Sequence, residues 1–288
     1  EAVSAGLTPV IYDPSQLETL AKLPWLAHVH LKVDTGMARL GITARELASI
    51  AGRLASMPHV HVTGLMTHFA SADLDDPGFT AVQLSRFAEA LTCVRRAGLT
   101  PAVTHAANSA AAFRFPEARF SFVRPGITLY GVAPFPHDGP ALLPAFRLRT
   151  EILALREVTA GSPVGYAGAF VAPRPTVIAT IPIGYADGFW RRLSSEAEVL
   201  VRGQRARVVG NVSMDMAMID VTALAHTGRG VSVGDEVVLL GSQSGTAGAD
   251  TIRAEEIAAR VGTIPYEVLC AVSRRVPRSY LQPAESAR

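Results

Sequence analysis

Over roughly its first 140 residues the chain alternates short apolar strand signals with amphipathic helix signals, and this rhythm constrains the fold more than any other feature. Strands alternating with helical patterns build a parallel sheet covered by helices. Val10–Tyr12 reads as a strand, with a short helix after Asp13-Pro14. His28–Asp34 reads as the next strand. Thr43-Ala44-Arg45-Glu46 then forms a capping box, in which threonine and glutamate satisfy each other's backbone donors at a helix start. The helix that follows places Leu47, Ile50, Ala51 and Leu54 on one face. His59–Phe69 is strand-like, and a long helix after it carries Leu84, Phe87, Ala88, Leu91 and Val94 at helical spacing, with Gly98 past its end. Ala102–Ala106 and Phe120–Tyr130 supply two further strands. The expectation is five parallel strands. A (β/α) barrel has eight in about 250 residues, so an incomplete, TIM-like α/β barrel would have its first three or so βα units upstream of Glu1; an open five-stranded sheet has the same pattern. The opening EAVSAGL reads as a helix tail closed by Gly6, as expected of a fragment that begins within an element.

After Pro144 the rhythm changes. Arg147–Leu155, Thr176–Ile183, Val199–Val201, Arg207–Val209, Val212–Val221 and Glu236–Leu240 read as strands without long helices between them. Arg202-Gly203 marks a hairpin turn, so a mainly antiparallel β domain is expected. One helix interrupts it, expected to be capped by Asp250 and closed by Gly262, with Ile257 and Val261 facing inward. The proline-rich stretch Ala133–Pro144 is the expected linker, giving a barrel portion over residues 1–135 and a β domain over 136–288.

Hydrophobic residues make up 49% and charged residues 18%, the balance of a globular chain with a sizeable core. A net charge of +2 points to neither nucleic acid nor an anionic membrane. No apolar run reaches the ~20 residues of a membrane span, and the N-terminal stretch has no signal-peptide pattern. Cys93 and Cys270 make neither a disulfide framework nor a metal-ligand set. A cytoplasmic protein without a bound metal is the expectation.

Active sites of barrels gather at the C-terminal ends of strands. There the sequence places Lys32, Asp34 and Arg39 after one strand, His68 after the next, then His105, Asn108 and Ser109, then Arg124 and Gly126. Taken singly, each is an ordinary structural residue; together they read as a site. In VRPGI, Pro125 removes a donor while Gly126 and Ile127 keep theirs, so beside Ser109 the segment reads either as a phosphate cradle or as a tight turn. In the β domain, Tyr166 and Tyr185 are flanked by small residues that leave their hydroxyls accessible.

The strings LKVDTGMARLG, GLMTHFASAD, HAANSAA, VRPGITLYG, VGYAGAF, IPIGYADGF, GNVSMDM and GTIPYEVL resemble the alanine racemase family, in order and across nearly the whole chain. The resemblance implies a pyridoxal 5'-phosphate enzyme of fold type III, a homodimer with shared active sites, interconverting L- and D-alanine to supply D-alanine for peptidoglycan. By residue-wise match, Tyr166 is the tyrosine base that acts on a cofactor held by the other subunit. Arg124 faces the pyridine nitrogen, and His68 lies near the cofactor ring. Ser109, Gly126, Ile127 and Tyr266 contact the phosphate. Arg39 and Met214 bind the substrate carboxylate, with Asp215 beside them. Tyr185 lines the channel into the site, and Lys32 matches a lysine that is carbamylated in some members.

The chain departs from the family pattern at Asn211, where some members carry arginine. It also departs at the Schiff-base lysine, for which no matching motif is present. Lys22 and Lys32 are the two lysines of the sequence, the first in a helical surface context and the second assigned above. The expectation is that the Schiff-base lysine lies upstream and that these 288 residues alone are inactive. The competing readings are a non-catalytic remnant that binds pyridoxal phosphate or only dimerises, a racemase for another small amino acid such as serine, and a related decarboxylase. The decarboxylase needs no second base opposite the lysine, so Tyr166 argues for racemisation.

Overall fold

The alternating pattern Ala27–Lys32 puts Ala27, Val29 and Leu31 on one side of a strand and His28, His30 and Lys32 on the other. The computed structural model describes residues 1–135, 139–226 and 230–281. It divides into two compact units: Glu1–Leu129 with Ala133–Leu142, and Tyr130–Val132 with Leu143–Arg288. Part of the expected linker, residues 136–138, lies outside the described residues.

The first unit runs β1 (Val10–Ile11), α1 (Gln16–Ala21), β2 (Ala27–Lys32), α2 (Ala44–Ala55), β3 (Val60–Met66), α3 (Gly78–Arg96), β4 (Val103–His105) and α4 (Ser109–Arg114). Its four strands pair in parallel in the order β1-β2-β3-β4, as in an arc of an α/β barrel. The apolar strand faces meet the helices in one core, where Leu17, Leu31, Leu47, Leu54, Leu65, Phe69 and Phe87 are buried. Burying each such side chain contributes about 1.5–3 kcal/mol. The capping box at Thr43 and Glu46 forms, and Leu47, Ile50, Ala51 and Leu54 are all buried, as the sequence leads one to expect.

Three expectations for this unit change. Phe120–Tyr130 is not a strand. Its Ser121 and Arg124 amides bond to the Thr104 and Ala107 carbonyls at 2.9 Å each, Phe120 turns through a left-handed φ of 44°, and the segment closes in a 3-10 turn at Ile127–Tyr130. Pro125 also removes a ladder donor, so the described parallel sheet has four strands rather than five. The long helix buries Thr80, Gln83, Phe87, Ala90 and Val94, with Ala88 exposed, so its inner face includes two polar residues. Glu1–Gly6 folds as turns, with Leu7 N–H bonded back to the Ala2 carbonyl at 3.0 Å around Gly6.

The second unit contains β5 (Leu148–Glu151), β6 (Ala154–Val158), β7 (Pro163–Val164), β8 (Phe170–Val171), β9 (Thr176–Ile181), β10 (Glu198–Val201), β11 (Gln204–Val209), β12 (Ala217–Asp220), α5 (Thr222–Ala225), β13 (Glu236–Gly245), β14 (Gly248–Ile252), α6 (Ala254–Val261) and α7 (Pro265–Ala271). The large sheet is antiparallel in the order β14-β13-β10-β11-β12-β9-β6, with β5 also on β13. The expected hairpin between β10 and β11 turns at Arg202 and Gly203, both at positive φ (54° and 81°). The expected strand Arg147–Leu155 is two strands, because β5 pairs with β13 and β6 with β9. Asp250 does not cap α6: it lies in β14 and pairs with Arg205 at 2.7 Å, while Gly262 closes the helix at φ 80°. Arg205 also bonds Glu256 and Glu198, tying β11 to β10 and α6. Among the described residues no helix is long and apolar enough to cross a membrane.

Candidate active site

In the first unit the polar residues collect where the strands end. Lys32 closes β2, and Asp34 follows. Asp34 Oδ1 accepts the amides of Gly36 and Met37 at 2.9 Å each and of Ala38 at 3.2 Å, which fixes the loop that carries the exposed Arg39. Burial first, then Arg39 and Arg124, lowers the Lys32 ammonium from its ordinary range.

Arg124 is the centre of the group. Its Nη1 lies 2.7 Å from His105 Nδ1, and its Nη2 lies 3.1 Å from His68 Nδ1. Nη2 also donates to the carbonyls of Thr67 at 2.8 Å and Ala106 at 3.1 Å. A guanidinium has donors and no acceptor, so both histidines present lone pairs to it. Burial and then the Arg124 charge lower both imidazoles to about 4, which keeps them neutral near pH 7.

Beside this group, the Ser109 hydroxyl oxygen accepts from the Gly126 amide at 2.8 Å and from Thr128 Oγ1 at 3.3 Å. Asn108 holds the start of α4 by accepting the Ala111 amide at 3.0 Å. A Cβ built on Gly126 meets nothing within 4 Å, so the space beside this donor loop is open. Ile127 is buried under it.

Gln83 is fully buried and was not singled out by the sequence reading. It accepts the Ala70 amide at 2.9 Å and donates to the His68 carbonyl at 3.1 Å and to Thr35 Oγ1 at 3.2 Å, clamping the loops that follow β2 and β3. A glutamine on the apolar stripe of α3 was the available signal.

The second unit presents Tyr166 on a short 3-10 turn, Tyr166–Gly168, with its side chain 73% exposed. The backbone around it is tightly fixed. Gly165 and Gly168 take positive φ, a Cβ on Gly165 would meet Met218 Cε at 2.6 Å, and Asn211 Nδ2 donates to the Tyr166 carbonyl at 3.0 Å. Asn211 thus acts on the backbone that carries Tyr166. Tyr185 and Met214 share another cluster: the Tyr185 amide bonds the Ser213 carbonyl at 3.0 Å, and the Ala186 amide bonds the Met214 carbonyl at 3.1 Å. Arg275 joins Asp187 at 2.6 Å to Asp215 at 2.7 Å, so the two carboxylates share one cation. Tyr266 lies in the first turn of α7. Neither Arg275 nor Asp187 was given a role by the sequence; Asp187 lies within the IPIGYADGF string, while nothing in the local pattern marks Arg275.

Residues 1–134 match the family described as "Alanine racemase, N-terminal domain", and residues 145–280 match "Alanine racemase, C-terminal domain". The chain belongs to the alanine racemase family. An alanine racemase of Sorangium cellulosum (strain So ce56) is 48% identical over 288 residues, 98% of this chain and 75% of the relative. One of Geobacter sulfurreducens is 48% identical over 294 residues, 99% of this chain and 75% of the relative. The alanine racemase structure from Streptomyces coelicolor A3(2) superposes with a TM-score of 0.87 at 35% identity, covering 98% of this chain and 74% of that one. The Bacillus anthracis alanine racemase structure with bound L-Ala-P gives a TM-score of 0.86 at 33% identity, over 98% of this chain and 72% of that one. As a member of the alanine racemase family the chain is assigned to the racemases, and the family characteristically uses pyridoxal phosphate.

Proposed function

We propose that the enzyme interconverts L- and D-alanine by two-base proton transfer, with pyridoxal 5'-phosphate held at the strand ends of the first unit. The observation that carries the reading is Arg124, a half-buried guanidinium bonded to two neutral histidines beside an open donor loop. The residues present fit the cofactor. Ser109, Gly126 and Ile127 would supply a hydroxyl and amides to its phosphate, the Gly126 amide being bonded to Ser109 Oγ here, and Tyr266 matches a further phosphate contact of the family. Arg124 would face the ring nitrogen and, having no proton to release, would leave that nitrogen unprotonated. His68 would border the ring.

When bound, pyridoxal phosphate withdraws electrons from the α-carbon of the substrate and acidifies its hydrogen. The chain's residues do the rest. By the family match Arg39 would bind the substrate carboxylate, and Met214 is matched to the same role, with Asp215, paired with Arg275, next to it in sequence. Tyr185 lines the approach. Tyr166, from the partner copy of a homodimer, moves the proton at its phenol oxygen on one face of the α-carbon. A lysine amine moves the proton on the opposite face, so one proton leaves and one arrives and the configuration inverts.

We assign that amine to a lysine outside these 288 residues. Lys22 is exposed at the end of α1, and Lys32 feels the charges of Arg39 and Arg124 and matches the family's carbamylated lysine. The product serves D-alanine supply for peptidoglycan in the cytoplasm. The test uses the enzyme from its complete coding sequence. Tyr166→Phe protein is mixed, under conditions of subunit exchange, with protein lacking the Schiff-base lysine. One intact site per mixed dimer restores part of the racemisation of alanine; no recovery despite demonstrated exchange overturns the shared site.

A further inference from the structure

We propose that His30 is a positioning residue for Arg124, acting through His105, and that Gly64 exists to make room for it. The importance of this contact rests on the reading of Arg124 as a site residue; its geometry stands apart from that reading.

The direction of the hydrogen bonds follows from Arg124. Its guanidinium only donates, so His105 Nδ1, 2.7 Å away, must accept. A neutral His105 then carries its proton on Nε2. That nitrogen lies 3.0 Å from His30 Nδ1, so His105 donates and His30 accepts. His30 in turn carries its own proton on Nε2. One relay therefore runs from the charged end of Arg124 back into β2, and each ring is fixed in one tautomer. Burial lowers the His30 imidazole below its ordinary range, which keeps it the neutral acceptor that the relay needs.

Packing holds the rings in this register. The His105 side chain is almost wholly buried, and the Phe122 ring stacks on it with centroids 4.3 Å apart and planes at 22°. His105 cannot rotate without giving up both hydrogen bonds and this stack. His30 lies against Gly64: a Cβ there would stand 2.4 Å from His30 Cδ2 and 2.5 Å from Cγ and Nε2. Gly64 is placed opposite His30 by an irregularity in the β2–β3 pairing, where Val29 meets Val62 but His30 meets Gly64, with Thr63 left over. The φ of Gly64 is not in the left-handed region, so the demand at this position is for space rather than for backbone freedom. The relay thus begins in a one-residue slip of a strand and ends at the guanidinium.

The test reads the relay directly by nitrogen NMR on the enzyme from its complete coding sequence, labelled with 15N-histidine and 15N-arginine, without added substrate. The expected result is His105 as the Nε2–H tautomer, with scalar coupling across the hydrogen bond to His30 Nδ1 and a slowly exchanging Arg124 side chain. His30→Leu should remove the coupling and broaden the Arg124 signal, and Gly64→Ala should do the same by displacing the ring. His30→Gln keeps an acceptor and should restore the Arg124 signal. In the complete enzyme, His30→Leu should lower kcat, approaching about 100-fold, with little change in KM; His30→Gln should recover most of it. A proton on His105 Nδ1, or an Arg124 signal indifferent to His30→Leu in a folded chain, overturns the proposal. An intact relay with cofactor binding and turnover indifferent to Arg124 substitution would instead overturn the reading of the site.

Discussion

Ser109 Oγ stands 2.8 Å from the Gly126 amide, joining the start of α4 to the loop after Arg124 across 17 residues of chain. This bond shapes the donor loop proposed for the cofactor phosphate. Ser109→Ala removes both the acceptor for Gly126 and a hydroxyl donor, at a cost of about 1–3 kcal/mol. Affinity for pyridoxal phosphate should fall about 5- to 150-fold. An absorbance titration of purified protein measures this, and an unchanged Kd contradicts the cradle.

Arg124→Glu exchanges a group that cannot give up its proton for one that can share it with a ring nitrogen. The electron sink becomes stronger and carbanion-like species live longer. Turnover of alanine should slow, with new long-wavelength absorbance and an increased yield of pyruvate from transamination. Stopped-flow spectra and a pyruvate assay check this. Racemisation at the parent rate without either sign would place Arg124 elsewhere.

His68 and His105 are held near 4 in the folded chain, against an ordinary 6.5, by burial and by Arg124. The unfolded chain therefore binds more protons between about pH 6.5 and 4, and stability falls as pH drops through that window and levels off below it. Urea unfolding of the first unit's signals should show this slope. His68→Gln together with His105→Gln should flatten it. An equal slope in the double variant contradicts the assignment of neutral histidines.

Lys32 is lowered by burial and by two arginines, so its amine is neutral more often than that of a surface lysine. A neutral amine attacks carbon dioxide: an N–C bond forms, a proton leaves, and the resulting carbamate anion sits near Arg39 and Arg124. Protein in 13C-bicarbonate should show a carbamate carbon signal that Lys32→Arg abolishes. Its absence under saturating bicarbonate would leave Lys32 as a plain cation.

Much of this architecture was legible because local chemistry and tertiary packing agree. The Thr43–Glu46 box and the stripe Leu47, Ile50, Ala51 and Leu54 read correctly, since capping and amphipathicity are local. The inner face of α3 did not, because it buries Thr80 and Gln83 to serve loops far away in sequence. Phe120–Tyr130 has strand-like residues, yet Pro125 and the turn at Phe120 break the ladder. At the site, Arg124, His68 and Ser109 stood out as polar residues at strand ends, and family resemblance supplied their roles. His30 did not stand out, because its significance lies in a partner 75 residues away and in a glycine on the neighbouring strand. Arg275 was equally silent: its partners Asp187 and Asp215 meet it only in three dimensions.

The central claim is that Tyr166 moves the proton on one face of the α-carbon while a lysine serves the other. Tyr166→Phe keeps the ring and loses the phenol oxygen, so its effect should depend on which enantiomer is offered. The decisive measurement is exchange of the α-hydrogen of L-alanine and of D-alanine with deuterated water, followed separately by proton NMR, in the complete enzyme carrying Tyr166→Phe. Exchange from L-alanine should fall by about 100-fold or more, the usual loss on removing a general base, while exchange from D-alanine through the lysine persists. Equal retention of both, or equal loss of both with the cofactor still bound, would contradict the two-base account.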